Sequence, residues 1–312
     1  MNQAVLQSPN AVVMVRPHRF TPNPQTAHDN AFQSTAATPK TSLAASLADK
    51  GYEEVTHVAA RLREAGVGVH LFEDLGKKDT PDSVFPNNWF STHSGGHIAL
   101  YPMFAPNRRR ERRYDIIDML KADYRVQDVI DYSGLEADGL FLEGTGAMVL
   151  DHVERVAYAC LSQRTSEVLL ERFCTHFNYE PMAFPTLGEA NKPVYHTNVM
   201  MCIASQFALL GAELITDVQR RQSVKDRLTG SGRELVLLTT DQIAAFAGNA
   251  IELTGSNGAV LAMSSKGVNS LSTSQRKTIE KYASILALHV PTIELAGGSV
   301  RCMLAGVHLL RR

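Results

Sequence analysis

Short apolar runs recur along this chain in one order. Two strand-like runs flank a tight polar turn, a helical stretch follows, and a third run closes the unit, at a spacing of roughly 60 residues. GAMVLD (146–151) and RVAYACL (155–161) form one such pair, and VMMCIA (199–204) and FALLGAEL (207–214) form another. Runs this short, bounded by turn residues, read as buried strands in hairpins. Further strands are predicted at 11–16, stopped by Pro17, at VGVHLFE (67–73), at HIALYPM (97–103), and at VLLTT, AVLAMSS and TIELA. Val55, Val58, Ala59 and Leu62 recur at helical spacing up to Gly66, which marks a helix and its stop. Helices are also predicted at 165–178, 217–229, 241–253 and 273–288, while NRRRERRYDIIDMLKADY (107–124) starts basic and becomes amphipathic. Residues 22–47 are polar and rich in Pro, Thr and Ser, the composition of an exposed loop or linker. No linker follows residue 50, so one domain, 1–312, is expected. Strand–helix alternation gives an α/β class. Periodicity alone does not separate a doubly wound sheet from a barrel or a propeller.

Charge and composition exclude several functions. The 31 Lys+Arg and 32 Asp+Glu leave a formal net charge of -1, which does not fit a phosphate-neutralising nucleic-acid binder. No apolar run of about 18 residues predicts a membrane span. The segment MNQAVLQSPNAVVMVRP lacks the basic start and apolar stretch of a secretory signal. The four cysteines, Cys160, Cys174, Cys202 and Cys302, are scattered. A disulfide scaffold would be denser, and a zinc site would show a close Cys/His pair. Free thiols in a reducing, cytoplasmic compartment are therefore expected. No glycine-rich phosphate loop and no G-x-S-x-G elbow is present, so nucleotide binding and serine hydrolysis have no support.

Four positions carry chemistry or an ordinary structural role. Cys302, after two glycines in GGSVRCMLAG, is a core cysteine or a nucleophile held as thiolate by a positive neighbour. His196 in KPVYHTNVMM is structural or a general acid/base; in a strand, Asn198 would share its face. Glu143 in FLEGTGAMVL caps local backbone N–H groups, or is a buried acid that orients a histidine or holds a cationic substrate. SVFPNNWFSTH (83–93) holds the single tryptophan and wedges amides between aromatics, as a rigid turn or a ligand loop would. His93 and His97 lack a nearby third ligand, so no metal is expected. The run Arg108, Arg109, Arg110, Arg112, Arg113 reads as a solvated helix face. One of these arginines, or Arg164, is left as a candidate to hold a carboxylate.

Taken together, the order Asn30, Asn88, Glu143, His196, Cys302 resembles the guanidino-group-modifying superfamily of arginine deiminases, dimethylarginine hydrolases and amidinotransferases. It most resembles its citrulline-utilisation hydrolases. The matching segments are MVRPHRFTPNPQTAHDNAFQ (14–33), VFPNNWFSTH (84–93), YPMFAPNRRRERR (101–113), FLEGTGAMVLDH (141–152), YHTNVMM (195–201), FAGNAIEL (246–253) and GGSVRCMLAG (297–306). The resemblance implies a five-bladed α/β propeller (pentein) of ββαβ units around a pseudo-fivefold axis. It implies Cys302 as nucleophile, His196 as acid/base and Glu143 as the acid before glycine. Asn88, Asn30 and Asn198 would contact substrate, and Arg164 with Arg108 or Arg109 would bind its carboxylate. Asn30 also turns part of 22–47 into a substrate loop. The implied reaction is hydrolysis of L-citrulline to L-ornithine, CO2 and ammonia through an S-carbamoyl cysteine, with no metal or cofactor. The alternative is a deiminase, dihydrolase or amidinotransferase acting on arginine by the same residues. The implied partner is a small amino acid; nucleic acid and membrane are not expected, and a homo-oligomer is left open. Asn88 and Asn198 stand where arginine deiminases carry aspartates. Aspartate suits a guanidinium, whereas an amide both accepts from and donates to a neutral ureido group.

Overall fold

Tight turns set the repeating unit. Between the strands of the first hairpin, Gly95 (φ 92) and Gly96 (φ 89) take the left-handed backbone that the two-strand reversal requires. The computed structural model describes residues 6–34, 41–188 and 191–312. Four of its three-stranded sheets share one plan. An antiparallel hairpin comes first, and a helix then leads to a third, parallel strand. They are β3 (Phe90–His93), β4 (His97–Leu100) and β5 (Asp128–Asp131); β6 (Met148–Asp151), β7 (Val156–Cys160) and β8 (Glu180–Phe184); β9 (Met201–Ile203), β10 (Phe207–Leu210) and β11 (Glu234–Leu237); and β12 (Ile251–Gly255), β13 (Gly258–Ser264) and β14 (Ser284–Leu288).

The fifth sheet joins distant parts of the chain. β1 (Ala11–Pro17) runs parallel to β2 (Gly68–Asp74) and antiparallel to β15 (Ala305–Gly306). The first strands neighbour one another: β15 packs on β3, β6 on β9, and β9 on β12. They ring the axis of a five-bladed α/β propeller. The helix Thr41–Glu64 connects β1 to β2 and buries Val55, Val58, Ala59 and Leu62 against Leu286, Leu288 and Ile293. Each such aliphatic side chain contributes about 1.5–3 kcal/mol by leaving water. No helix among the described residues is long and apolar enough to cross a membrane.

The structure corrects four sequence expectations. The helix expected at 241–253 is only Thr240–Ala244, started by a capping box between Thr239 and Gln242. Phe246, in the left-handed region (φ 63), follows its end, and Ile251 begins β12. The helix expected at 273–288 stops at Glu280, and its apolar end is β14. TIELA is not a strand: Pro291 opens the helical turn Pro291–Glu294, where its missing N–H costs nothing. Of the expected linker 22–47, residues 35–40 lie outside the described residues, and Thr41 already begins a helix. Residues 20–34 are loop, yet Asn23, Thr26, Asn30 and Gln33 are buried.

His93, His152 and His196 are buried within the propeller, and burial lowers all three below the ordinary histidine value, His196 to about 4. The unfolded chain takes up these protons near pH 6.5 and the folded chain only below that. The stabilisation is therefore complete above pH 6.5 and lost as pH falls toward 4. Urea unfolding at pH 7.5, 6 and 5 is expected to show stability falling by up to about 1.4 kcal/mol per pH unit for each histidine. A flat profile over that range would contradict their neutral burial.

Candidate active site

Each blade enters its first strand through a short turn, and the five turns meet at one end of the axis. Pro86–Asn88 precedes β3, Gly144–Ala147 precedes β6, Thr197–Val199 precedes β9, the turn ending at Asn249 precedes β12, and Val300–Met303 precedes β15. Polar side chains that are far apart in sequence thereby converge. Asn30, Asn88, Arg108, Arg164, His196 and Cys302 all line one narrow pocket, with Glu143, Asn198 and Asn249 packed beneath. His196 begins a 3₁₀ turn rather than the strand expected from sequence.

Glu143 is the hub. It is 0% exposed, and its Oε2 accepts from His196 Nε2 at 2.8 Å while Oε1 accepts from the Phe104 N–H at 2.9 Å. Arg164 Nη1 and Arg108 Nη1 lie 3.5 and 3.6 Å away. Burial alone would raise its pKa, but Arg164, His196 and Arg108 outweigh that and hold it well below the carboxylate range. For His196 burial wins over the attraction of Glu143, and the two arginines add to it, so the imidazole is neutral at pH 7. With Nε2–H given to Glu143, Nδ1 carries the lone pair. Nδ1 faces Gly146, where any Cβ would collide with it and with Asn88 Nδ2.

Cys302 Sγ receives two amide donors, Asn198 Nδ2 at 3.3 Å and Asn249 Nδ2 at 3.2 Å. Asn249 is aimed by its other contacts, since Oδ1 accepts from the Arg301 N–H at 3.0 Å and Nδ2 also reaches Asn198 O at 2.9 Å.

Arg108 is the main departure from the solvated face expected of the basic run. It is 2% exposed and grips Glu111 through Nε (2.9 Å) and Nη2 (3.0 Å), while Nη1 donates to Asn88 Oδ1 at 3.0 Å. Burial pushes Glu111 up to about 7 in spite of this pairing. Asp82 lies 3.6 Å from Arg108 and is likewise raised by burial; its Oδ1 has no hydrogen-bond partner among the described residues. Arg109 does not join the pocket. It donates to Met103 O at 3.1 Å and lies 3.5 Å from Glu136. Arg110 is exposed beside Asp79.

Arg164, also 2% exposed, gives Nε and Nη2 to Asp29 Oδ2 and Oδ1, each at 2.7 Å. Asp29 belongs to the 20–34 segment, which covers the pocket. Asn23 bonds Asp82 (2.7 Å), Asn30 Nδ2 bonds Ala296 O (3.2 Å), and Lys192 Nζ bonds His28 O (2.7 Å). Sequence reasoning missed Asn249, Asp82 and Asp29. The signal for Asn249 was its place ahead of an apolar run in FAGNAIEL, as Asn88 stands in PNNWF. Among the described residues no three His, Cys, Asp or Glu side chains cluster as metal ligands.

The chain can now be set beside known proteins. The sequence profile of eukaryotic N,N dimethylarginine dimethylhydrolase matches residues 16–309. No curated protein sequence matches the chain. Solved structures share the fold at low identity. The N-terminal domain of ArgZ, an arginine dihydrolase from the ornithine–ammonia cycle in cyanobacteria, was solved as a mutant bound to substrate. It is similar at a TM-score of 0.70 and 16% identity, over 96% of this chain and 97% of that one. Unliganded AgrE is similar at 0.75 and 17%, over 97% of this chain and 40% of that longer one. A dimethylarginine dimethylaminohydrolase in adduct with S-methyl-L-thiocitrulline is similar at 0.62 and 13%, over 97% and 99%. The propeller fold expected from the resemblance is thereby shown. A profile match over nearly the whole length, on the fold these enzymes share, means that the chain belongs to the dimethylarginine dimethylhydrolase family of the guanidino-group-modifying pentein superfamily.

Proposed function

We propose that this protein is a cysteine-dependent hydrolase that converts L-citrulline to L-ornithine, carbon dioxide and ammonia. One observation carries the choice of substrate. Arg108, which can only donate, bonds Asn88 Oδ1. The amide is thereby turned so that Nδ2, buried and without a partner among the described residues, is left to donate. A buried donor without an acceptor costs about 1–3 kcal/mol. A ureido carbonyl supplies that acceptor, and a guanidinium, which carries only N–H groups at this end, does not.

The reaction follows from the same atoms. Cys302 gives its proton to His196 Nδ1, and the thiolate attacks the ureido carbon. The carbonyl oxygen becomes an oxyanion at Asn88 Nδ2, a donor placed where charge develops. The tetrahedral centre collapses, the bond to the ornithine side-chain nitrogen breaks, and His196 protonates that leaving amine. S-Carbamoyl cysteine remains. Neutral His196 then takes a proton from water, and the hydroxide attacks the same carbon. The bond to Sγ breaks, and carbamate leaves and decomposes to carbon dioxide and ammonia. Glu143 holds the imidazole in the tautomer both halves need and stabilises it when charged.

At the other end of the substrate, the free Oδ1 of Asp82 suits an α-ammonium group and the fork of Arg164 suits an α-carboxylate. Asp29 occupies that fork in this structure. Likeness to ArgZ, an arginine dihydrolase, supports a second reading in which arginine is the substrate and ammonia the first leaving group.

Purified protein given L-citrulline or L-arginine in parallel is expected to release ornithine and ammonia from citrulline alone, and Cys302→Ala to be inactive. Turnover of arginine with citrulline inert would overturn the substrate assignment and keep the nucleophile. Asn88→Asp keeps the acceptor for Arg108 but faces the ureido oxygen with a carboxylate. Its kcat/KM for citrulline is expected to fall at least about a hundredfold, an effect of about 2.7 kcal/mol. Retained activity would remove Asn88 from the mechanism. Asp29→Asn weakens the pair that competes with the substrate carboxylate, so KM for citrulline should drop a few fold with kcat unchanged. A rise in KM would instead make Asp29 a direct substrate contact.

A further inference from the structure

Beyond the pocket, along the same axis, lies a second cavity that the proposed reaction does not use. All five first strands line it: Ser91 of β3, Leu150 of β6, Cys202 of β9, Glu252 of β12 and Gly306 of β15. Gln7 closes one side, its Nε2 donating to Leu150 O (3.0 Å) and Ile203 O (3.1 Å) and its Oε1 accepting from the His152 N–H (2.9 Å). Its volume is about 50 Å3, where a single water needs roughly 10–15 Å3 on the same measure.

Its cation and its acid are not paired with each other. The buried arginines Arg108, Arg164 and Arg233 each hold a carboxylate through two bonds: Arg108 with Glu111, Arg164 with Asp29, and Arg233 with Asp151 at 2.6 and 3.0 Å, whereas Arg301 is half-buried. Arg301 lines the cavity with no such partner. Among the described residues its guanidinium donates only to Leu304 O at 2.9 Å, and no carboxylate lies within ion-pair distance. Two imidazoles share the cavity, His152 and His308, with ring centroids 4.0 Å apart. His152 has its Nδ1 engaged with Tyr179 OH at 2.9 Å, leaving Nε2. The acid in the lining, Glu252, is committed to Ser8 and to the Ser205 N–H at 2.8 Å. A guanidinium and two imidazoles thus line a small polar space whose acid is committed elsewhere. A planar oxyanion matches the unpaired fork of the guanidinium.

We propose that this axial cavity is a binding site for a small planar oxyanion of carbonate size, held by the Arg301 guanidinium with the His152 and His308 imidazoles. The occupant would sit one residue from Cys302, yet on the far side of the turn that carries it.

The test titrates the full chain with sodium bicarbonate, and separately with sodium nitrate, at constant ionic strength, following Tm and the imidazole 1H–15N resonances. The expected result is a saturable rise in Tm for both anions, with the His152 and His308 resonances moving and those of His196 still. Arg301→Met should weaken binding at least about tenfold, the loss of one charge-assisted contact, and Arg164→Met should leave it unchanged. No saturable response, equal affinity in Arg301→Met, or loss in Arg164→Met with movement of His196 would each overturn the proposal; the last would place the anion in the catalytic pocket. If Arg301→Met does not fold, His308→Phe serves in its place, and unchanged affinity there would also overturn it.

Discussion

A carboxylate with no access to water holds this site together. Glu143 is tolerable at the centre of the propeller because two guanidinium groups and an imidazole surround it. Remove any of them and a buried charge is left uncompensated, which proteins do not sustain cheaply. The reverse also holds. Arg108 and Arg164 are buried only because Glu143, Glu111 and Asp29 are there. The cluster is therefore mutually obligatory, and it pins turns from different blades at fixed positions. Precision at Cys302 and His196 is a by-product of satisfying these charges.

The same cluster sets the orientation of neutral groups. An amide has no intrinsic sense of direction, since its two ends differ by one proton-bearing nitrogen. Arg108 supplies the direction for Asn88, and the Arg301 N–H does so for Asn249. Two asparagines become oriented donors, one toward the pocket and one toward sulfur. The site obtains polarity without a further buried charge.

How much of this was legible beforehand varied with the kind of information. The hairpins at 146–161 and 199–214 are readable because short apolar runs bounded by turn residues suit strands buried on both faces. The segment 241–253 was misread because AAFAGNAIEL also spaces its apolar residues as a helix would. The left-handed backbone at Phe246 and the close approach of Gly248 to Val199 and Met200 break it, and composition does not report those. Cys302, His196, Glu143 and Asn88 emerged as a set, each near a glycine or proline that brings backbone close. The burial of Arg108 was not legible. A run of five arginines ordinarily faces water, and here a 3₁₀ turn rotates one inward onto Glu111, three residues on, and the next outward onto Met103. The loop at 20–34 failed for a related reason: its polar residues are buried by bonding one another and the pocket wall, a tertiary fact.

The closure of the fifth blade has a consequence for how the chain is made. Cys302 sits on the turn into β15, and β15 has its partner in β1, nearly the whole chain away. During synthesis the scaffold, Glu143 and His196 are all laid down first, and Cys302 arrives with the strand that completes the circle. A partly built ring therefore lacks one wall of the pocket. Completion of the pocket and closure of the ring thus fall on the same event.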